Sequence, residues 1–268
     1  MTLTVTTDPS DIAALLARLL AADPVRGTVL GSIVADVRAG TAPEAWCAVR
    51  PGTDALVVRS HREYPALFTT GWDAADLASA IELVRELPDL VGVAGPVEVI
   101  DAAAGRLVGE RPAKRLGMRL FRLDDLVPPN GVTGEGRPAA DEERDLVTAW
   151  YRDFGNEAGA STHDIEQAAA RAMESGRVWL WLHGDRPVSL AARRAPEAGS
   201  ARIGPVYTPP EHRGRGYGSA VTAEATREIL DLGAIPVLFT DLDNPTSNKI
   251  YQQLGYYPVE DRVQLTFA

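Results

Sequence analysis

The run Arg213-Gly-Arg-Gly-Tyr-Gly218 sets three glycines at alternate positions, immediately ahead of a segment with helical apolar spacing. Lacking side chains, such residues let backbone N–H groups converge on one point at a helix N-terminus. That point carries partial positive charge and unsatisfied donors, which suits a phosphate or pyrophosphate. Arg213 and Arg215 add formal charge in an otherwise acidic chain. The plain alternative is a flexible turn between a strand and a helix.

Spacing separates three phosphate-binding devices. A Walker loop ends in Gly-Lys followed by Ser or Thr, and this loop has no lysine. The dinucleotide fingerprint wants Gly or Ala where Ser219 stands, and a loop that leaves its strand directly. Here Pro209-Pro210-Glu211-His212 intervenes, although Asp241 imitates the ribose-binding acid of that fold. The third device is the pyrophosphate loop of acyl-coenzyme A transferases.

Residues 204–218, Gly-Pro-Val-Tyr-Thr-Pro-Pro-Glu-His-Arg-Gly-Arg-Gly-Tyr-Gly, resemble motif A of the GCN5-related N-acetyltransferases, the GNAT superfamily. Residues 244–256, Asn-Pro-Thr-Ser-Asn-Lys-Ile-Tyr-Gln-Gln-Leu-Gly-Tyr, resemble a second signature of that family, an Asn followed by a Tyr and an aliphatic-Gly-aromatic ending. The resemblance is clear over 135–268. The first half resembles a degenerate copy without the glycine loop, as in two-domain members. The fold implied is α/β, with a GNAT-type mixed central sheet and flanking helices in the C-terminal domain. A smaller related α/β domain precedes it.

The resemblance implies acetyl-CoA as co-substrate and direct acetyl transfer to an amine. Val206, Tyr207 and Thr208 would pair with the pantetheine arm, where Pro205 favours a splayed ladder because it has no N–H to give. A simple bulge at Gly204-Pro205 is the plainer account. The pyrophosphate would lie on Gly214, Arg215, Gly216, Tyr217 and Gly218, with Ser219 and Arg213 at its rim. Asn244 matches the cofactor-contacting asparagine and also suits a helix cap. Tyr251 matches the tyrosine that protonates the leaving thiolate, its alternative being a core aromatic. Phe239 stands where some relatives place a glutamate base. Glu157, Asp241 and Asp243 are the remaining acids for a base or an acceptor contact, each otherwise a solvated carboxylate. A coenzyme-A-binding module without turnover is the rival reading, and a dinucleotide enzyme is the next. The acceptor, a small-molecule or peptide amine, is not specified by the sequence, nor is the oligomeric state.

The elements that must position these residues can be read from pattern. Asp8 or Ser10 caps a helix carrying Ile12, Leu15, Leu16 and Leu19, and Asp73 caps one carrying Leu77, Ala80, Ile81 and Val84. Strands are expected at 46–49, 55–58, 91–100 (broken by Gly95-Pro96) and 118–123. Adjacent Pro128-Pro129 and the glycines after them place a linker at 128–138, dividing a first domain at 1–127 from a transferase domain at 133–268. In the second half, Asp141 caps a helix reaching Trp150, and a further helix runs from His163 to Ser175. A hairpin of 177–183 and 187–193 precedes a strand at 201–208. The helix after the glycine loop stops at Gly233, followed by a strand at 235–240, a helix at 244–254 and a strand at 263–267.

The chain has 268 residues, a net charge of -10 and 45% hydrophobic residues, an ordinary globular composition. The acidic balance argues against nucleic-acid or anionic-membrane partners. No segment reaches the roughly 20 apolar residues that span a bilayer. Residues 12–22 follow Asp8 and Asp11, where a signal peptide would want positive charge. The single cysteine, Cys47, excludes an internal disulfide, reads as a buried inert thiol and suits a reducing, cytoplasmic setting. His163, His183 and His212 have no ligand spacing, so no metal is expected.

Overall fold

The computed structural model describes residues 2–107, 113–158 and 165–267. The chain divides into two compact units. Residues 1–120, 241–243 and 258–268 make the first, and residues 121–240 and 244–257 the second. The elements in chain order begin with β1 (Thr4–Thr6), α1 (Pro9–Ala22), α2 (Thr28–Arg38), β2 (Trp46–Val49) and β3 (Leu56–Arg59). Then come β4 (Ala66–Phe68), α3 (Ala74–Arg85), β5 (Gly92–Pro96), α4 (Val97–Leu107) and β6 (Ala113–Leu123). The second half supplies β7 (Glu135–Pro138), α5 (Arg144–Ala158), α6 (Ile165–Glu174), β8 (Val178–His183) and β9 (Arg186–Arg193). It continues with β10 (Ser200–Tyr207), α7 (Tyr217–Asp231), β11 (Ile235–Asp241), α8 (Pro245–Gln253) and β12 (Tyr256–Phe267).

The two units repeat one plan. A strand and two helices lead into three antiparallel strands, and a helical crossover then returns parallel to the last of them. In the first unit the strand order is β1-β2-β3-β4-β5-β12, with β4 parallel to β5. In the second it is β11-β10-β9-β8-β7, with β10 parallel to β11. The α/β fold class and the degenerate first copy read from the sequence match this architecture.

Each sheet is covered on both faces, so its inner strands are apolar at consecutive positions. In the first unit, Cys47, Val49, Leu56 and Val58 pack with Ile12, Leu16 and Val34 of α1 and α2. The alternate residues Ala48 and Val57 pack with Ile81 of α3 and Ile100 of α4. In the second unit, Leu180, Leu190 and Ala192 meet Val147 and Trp150 of α5, while Ala191 and Ile203 meet Val221 and Ile229 of α7.

Several expectations change. Residues 91–100 were expected as a strand broken by Gly95-Pro96, but β5 stops at Pro96 and α4 follows, with Val99, Ile100, Ala103 and Leu107 buried at helical spacing. Residues 135–138, placed in the linker, form β7 on β8, with Arg137 opposite Leu180. Asp141 opens a short 3-10 turn instead of capping α5, and Glu143 Oε2 accepts the Ala140 N–H at 2.8 Å. The start of the helix expected at His163 lies outside the described residues. Asp8 and Asp73 cap α1 and α3 as read, and Gly233 ends α7 at φ 71°.

The final strand shows an exchange that local pattern does not reveal. Although β12 ends the chain, its residues 262–266 pair antiparallel with β5, Arg262 opposite Pro96 and Thr266 opposite Gly92. Val263 and Leu265 are thereby buried in the first unit.

Candidate functional site

In the second unit, β10 pairs with β11 from Ser200↔Ile235 to Ile203↔Leu238, where that ladder ends. Its pairing with β9 slips between Ile203 and Val206, then resumes at Val206↔Ala191 and Tyr207↔Leu190. The end of β10 is therefore held on one side and released on the other, beginning at Gly204-Pro205. Ser189, fully buried on β9, anchors this end. Its Oγ donates to Tyr207 O at 3.0 Å and shares a hydrogen bond with Thr208 Oγ1 at 2.8 Å. Sequence reading missed Ser189; the signal available was a hydroxyl inside an apolar strand.

Pro210–His212 forms a 3-10 turn that leads into the glycine loop. Gly214 and Gly216 have φ of 76° and 82°, a region that strains residues with a Cβ. Gly216 is also the N-cap of α7, with no side-chain cap and no acid in the first turn. The first helical bond returns from Ala220 N to Gly216 O at 3.0 Å. Among the described residues, the six N–H groups of 214–219 have no acceptor. Such a row of unsatisfied donors at a helix start fits an anionic diphosphate. A Cβ at Gly216 would stand 2.8 Å from Val132 Cγ2, and one at Gly218 would stand 3.3 Å from Thr208 Oγ1. The Tyr217 side chain is buried against His183, so this residue offers its N–H and not its ring.

The corresponding helix of the first unit is closed to an anion. Asp73 Oδ1 accepts the N–H groups of Ala75 and Asp76 at 3.0 and 2.9 Å. Arg50 then bridges the carboxylates of Asp73 and buried Asp76 at 2.9 and 2.8 Å. The chain's own acids fill the place that α7 leaves open.

Tyr251 lies on α8, buried between Phe121 and Tyr256 at ring separations of 6.3 and 6.2 Å. Its hydroxyl has no hydrogen-bond partner among the described residues, whereas the Tyr256 hydroxyl is tied to Thr226 Oγ1 at 2.7 Å. Burial pushes the Tyr251 phenol up to about 12. Asn244 starts the helix, its Oδ1 accepting the Ser247 N–H at 3.0 Å. Gly255 ends it at φ 95°, where the Asp124 N–H donates to its carbonyl at 3.0 Å.

Glu157 sits in the last turn of α5, not in the loop after it. Arg213 Nη2 donates to both its oxygens at 2.8 and 2.7 Å, while Arg213 Nε donates to Thr208 O at 2.8 Å. Burial, followed by the nearby Glu157 and Asp153 carboxylates, raises the Tyr207 phenol above its ordinary range. Val206 lies on β10, Ser219 in the first turn of α7 and Arg215 in the exposed loop before it. Asp241 falls in the first unit, where its Oδ1 accepts the Asp243 N–H at 2.8 Å. Burial pushes the Cys47 thiol up to about 12, which leaves it protonated and inert near neutrality. Among the described residues no cluster of acids, histidines and cysteines is arranged to hold a metal, and no helix is long and apolar enough to cross a membrane.

Residues 182–264 match the family model described as FR47-like protein. No curated protein matches the sequence. A GNAT-family acetyltransferase from Colwellia psychrerythraea aligns over 100% of both chains, with a TM-score of 0.64 and 13% identity. A GCN5-related N-acetyltransferase from Sphaerobacter thermophilus covers 99% of this chain and 95% of its own, at 0.62 and 16%. A tandem GNAT protein from the clavulanic acid biosynthesis pathway covers 99% and 98%, at 0.59 and 14%. At such identities the likeness is one of fold.

Proposed function

We propose that this chain, whose fold is that of two-domain GNAT proteins, uses residues 133–268 as an acetyl-CoA-dependent N-acetyltransferase and residues 1–127 as its degenerate partner. The observation that carries this reading is the row of six acceptor-free N–H groups at 214–219, beside the point where β10 parts from β11. A diphosphate would take those donors. The released edge of Val206, Tyr207 and Thr208 would take the amide-bearing pantetheine arm, and the Asn244 amide would sit at its border.

Acetyl-CoA supplies the activated acyl group, a thioester. The acceptor is a primary amine, of a small molecule or a peptide, and must lose its proton before attack. A new N–C bond forms as the C–S bond breaks. The amine proton passes to Glu157 or to water, and Tyr251 Oη gives a proton to the departing sulfur, recovering it from solvent. A phenol raised to about 12 stays protonated at neutral pH and keeps that proton available.

One observation favours the second reading, a coenzyme-A-binding module without turnover: the carboxylate of Glu157 is already held by Arg213. Calorimetric titration with acetyl-CoA, CoA and NADH tests the common part of both readings. Binding of the two coenzyme A species but not NADH, lost in Gly216→Trp, is expected. An amine screen by thiol release then separates them, because turnover dependent on Tyr251 excludes the passive module. A folded protein that binds neither coenzyme A species overturns both.

A further inference from the structure

The first unit contains a cleft of about 360 Å³ bounded by α1, α2, β4 and β12, within the range of small-molecule sites, roughly 300–1,000 Å³. Leu19, Leu30 and Leu67, which share the α1/α2 face of the sheet, make its apolar wall. Asp23, Arg26, Glu260 and Arg262 make a charged one.

These four side chains form a neutral chain of ion pairs. Asp23 Oδ2 accepts from Arg26 Nη1 at 2.9 Å, and Glu260 Oε2 accepts from Arg262 Nε at 2.6 Å. Arg262 Nη2 donates to Arg26 O at 2.9 Å. The Arg262 and Glu260 side chains are only 10% and 13% exposed. Two of their atoms are nevertheless unsatisfied. Glu260 Oε1 stands 3.6 Å from Arg26 Nε, beyond hydrogen-bond reach. Arg262 Nη1 has no partner among the described residues. Neither atom is sealed from solvent. A carboxylate oxygen short of a donor and a guanidinium nitrogen short of an acceptor thus belong to one ion pair lining one cleft.

A simple amine would satisfy only Glu260, and a simple carboxylate only Arg262. Either would add an uncompensated charge beside the neutral, largely buried Glu260–Arg262 pair, which is costly. An α-amino acid carries ammonium and carboxylate on a single carbon and adds no net charge. We propose that this cleft binds a free α-amino acid with an apolar side chain, its ammonium on Glu260, its carboxylate on Arg262 and its side chain against Leu30 and Leu67. The site uses only first-unit residues, so the proposal does not depend on the transferase reading.

The test is calorimetric titration of the full chain with L-leucine, beside leucinol, which lacks the carboxylate, and 4-methylpentanoate, which lacks the amine. Saturable binding of leucine at one per chain is expected, with each analogue weaker by about tenfold or more. Glu260→Gln weakens leucine by a similar factor. Ala22→Trp, outside the ion network, blocks the cleft and abolishes binding even where Glu260→Gln disturbs folding. Gly216→Trp binds leucine unchanged, so loss of coenzyme A binding leaves this result standing. No leucine binding, analogues as tight as leucine, or wild-type binding in Ala22→Trp overturns the proposal.

Discussion

Arg213 grips Glu157 across 56 positions of sequence, its Nη2 at 2.8 and 2.7 Å from the two carboxylate oxygens. The motif arginine is thus committed to the end of α5 and, through Nε, to the carbonyl of Thr208. It ties the acceptor side proposed for the site to the end of the strand that would hold the cofactor arm.

Both partners of this pair are 47% exposed, so its contribution to stability is under about 1 kcal/mol. Glu157→Gln should melt within a few degrees of wild type. If Glu157 receives the acceptor, kcat/KM for a cationic amine falls about tenfold or more, while the acetyl-CoA dissociation constant stays within about threefold. Steady-state kinetics in both substrates, with calorimetry for acetyl-CoA, check this.

Tyr251→Phe removes a hydroxyl that no described residue hydrogen-bonds, and it should cost little stability. Loss of the thiolate's proton donor should lower kcat by about 10²-fold or more, with acetyl-CoA binding unchanged. An unchanged kcat removes Tyr251 from the mechanism.

The same phenol predicts alkaline behaviour. Its folded pKa is raised by burial from 10 to about 12, so the unfolded chain loses this proton first. The stability it contributes is complete below about pH 10 and is lost as pH rises to about 12. Denaturant midpoints measured across that window should fall, and less steeply in Tyr251→Phe.

Gly216→Ala meets two obstacles, a left-handed φ of 82° and a contact with Val132 at 2.8 Å. The φ alone costs about 1–2 kcal/mol. Adding Val132→Ala relieves the contact but not the backbone, so the double variant should recover only part of the lost stability. Thermal melts of the three variants separate the two effects.

Coenzyme A should bind once per chain. Asp73 and Asp76, clamped by Arg50, occupy the helix start of the first unit. Calorimetric stoichiometry of one in wild type, and of none in Gly216→Trp, is the expected pair of results.

The legible features were those in which one position has one physical demand. Gly214, Gly216 and Gly255 all take positive φ, and Asp8 and Asp73 cap helices through their own side chains. Elements without such markers were missed. Helix α2 starts at Gly27 with no side-chain cap, and β4 has only three residues. Gly95-Pro96 suggested an interrupted strand, where Pro96 in fact ends β5 and the spacing from Val99 to Leu107 is helical. Contacts between distant segments, such as Arg213 with Glu157 and Ser189 with Thr208, depend on topology and leave no local trace.

The pairing of β12 with β5 bears on the order in which the molecule is completed. Strand β5 emerges from the ribosome early, its five residues all destined for burial. Its partner, residues 262–266, is made only after residues 121–240 and 244–257 of the second unit. Until then the first half keeps an apolar edge with unfilled hydrogen bonds, the condition that invites misassociation. The sheet of the first unit is therefore completed only after most of the second unit has been made, and a truncation that removes residues 262–266 would damage the first unit at a distance of some hundred and seventy positions, roughly the separation of β5 from its partner.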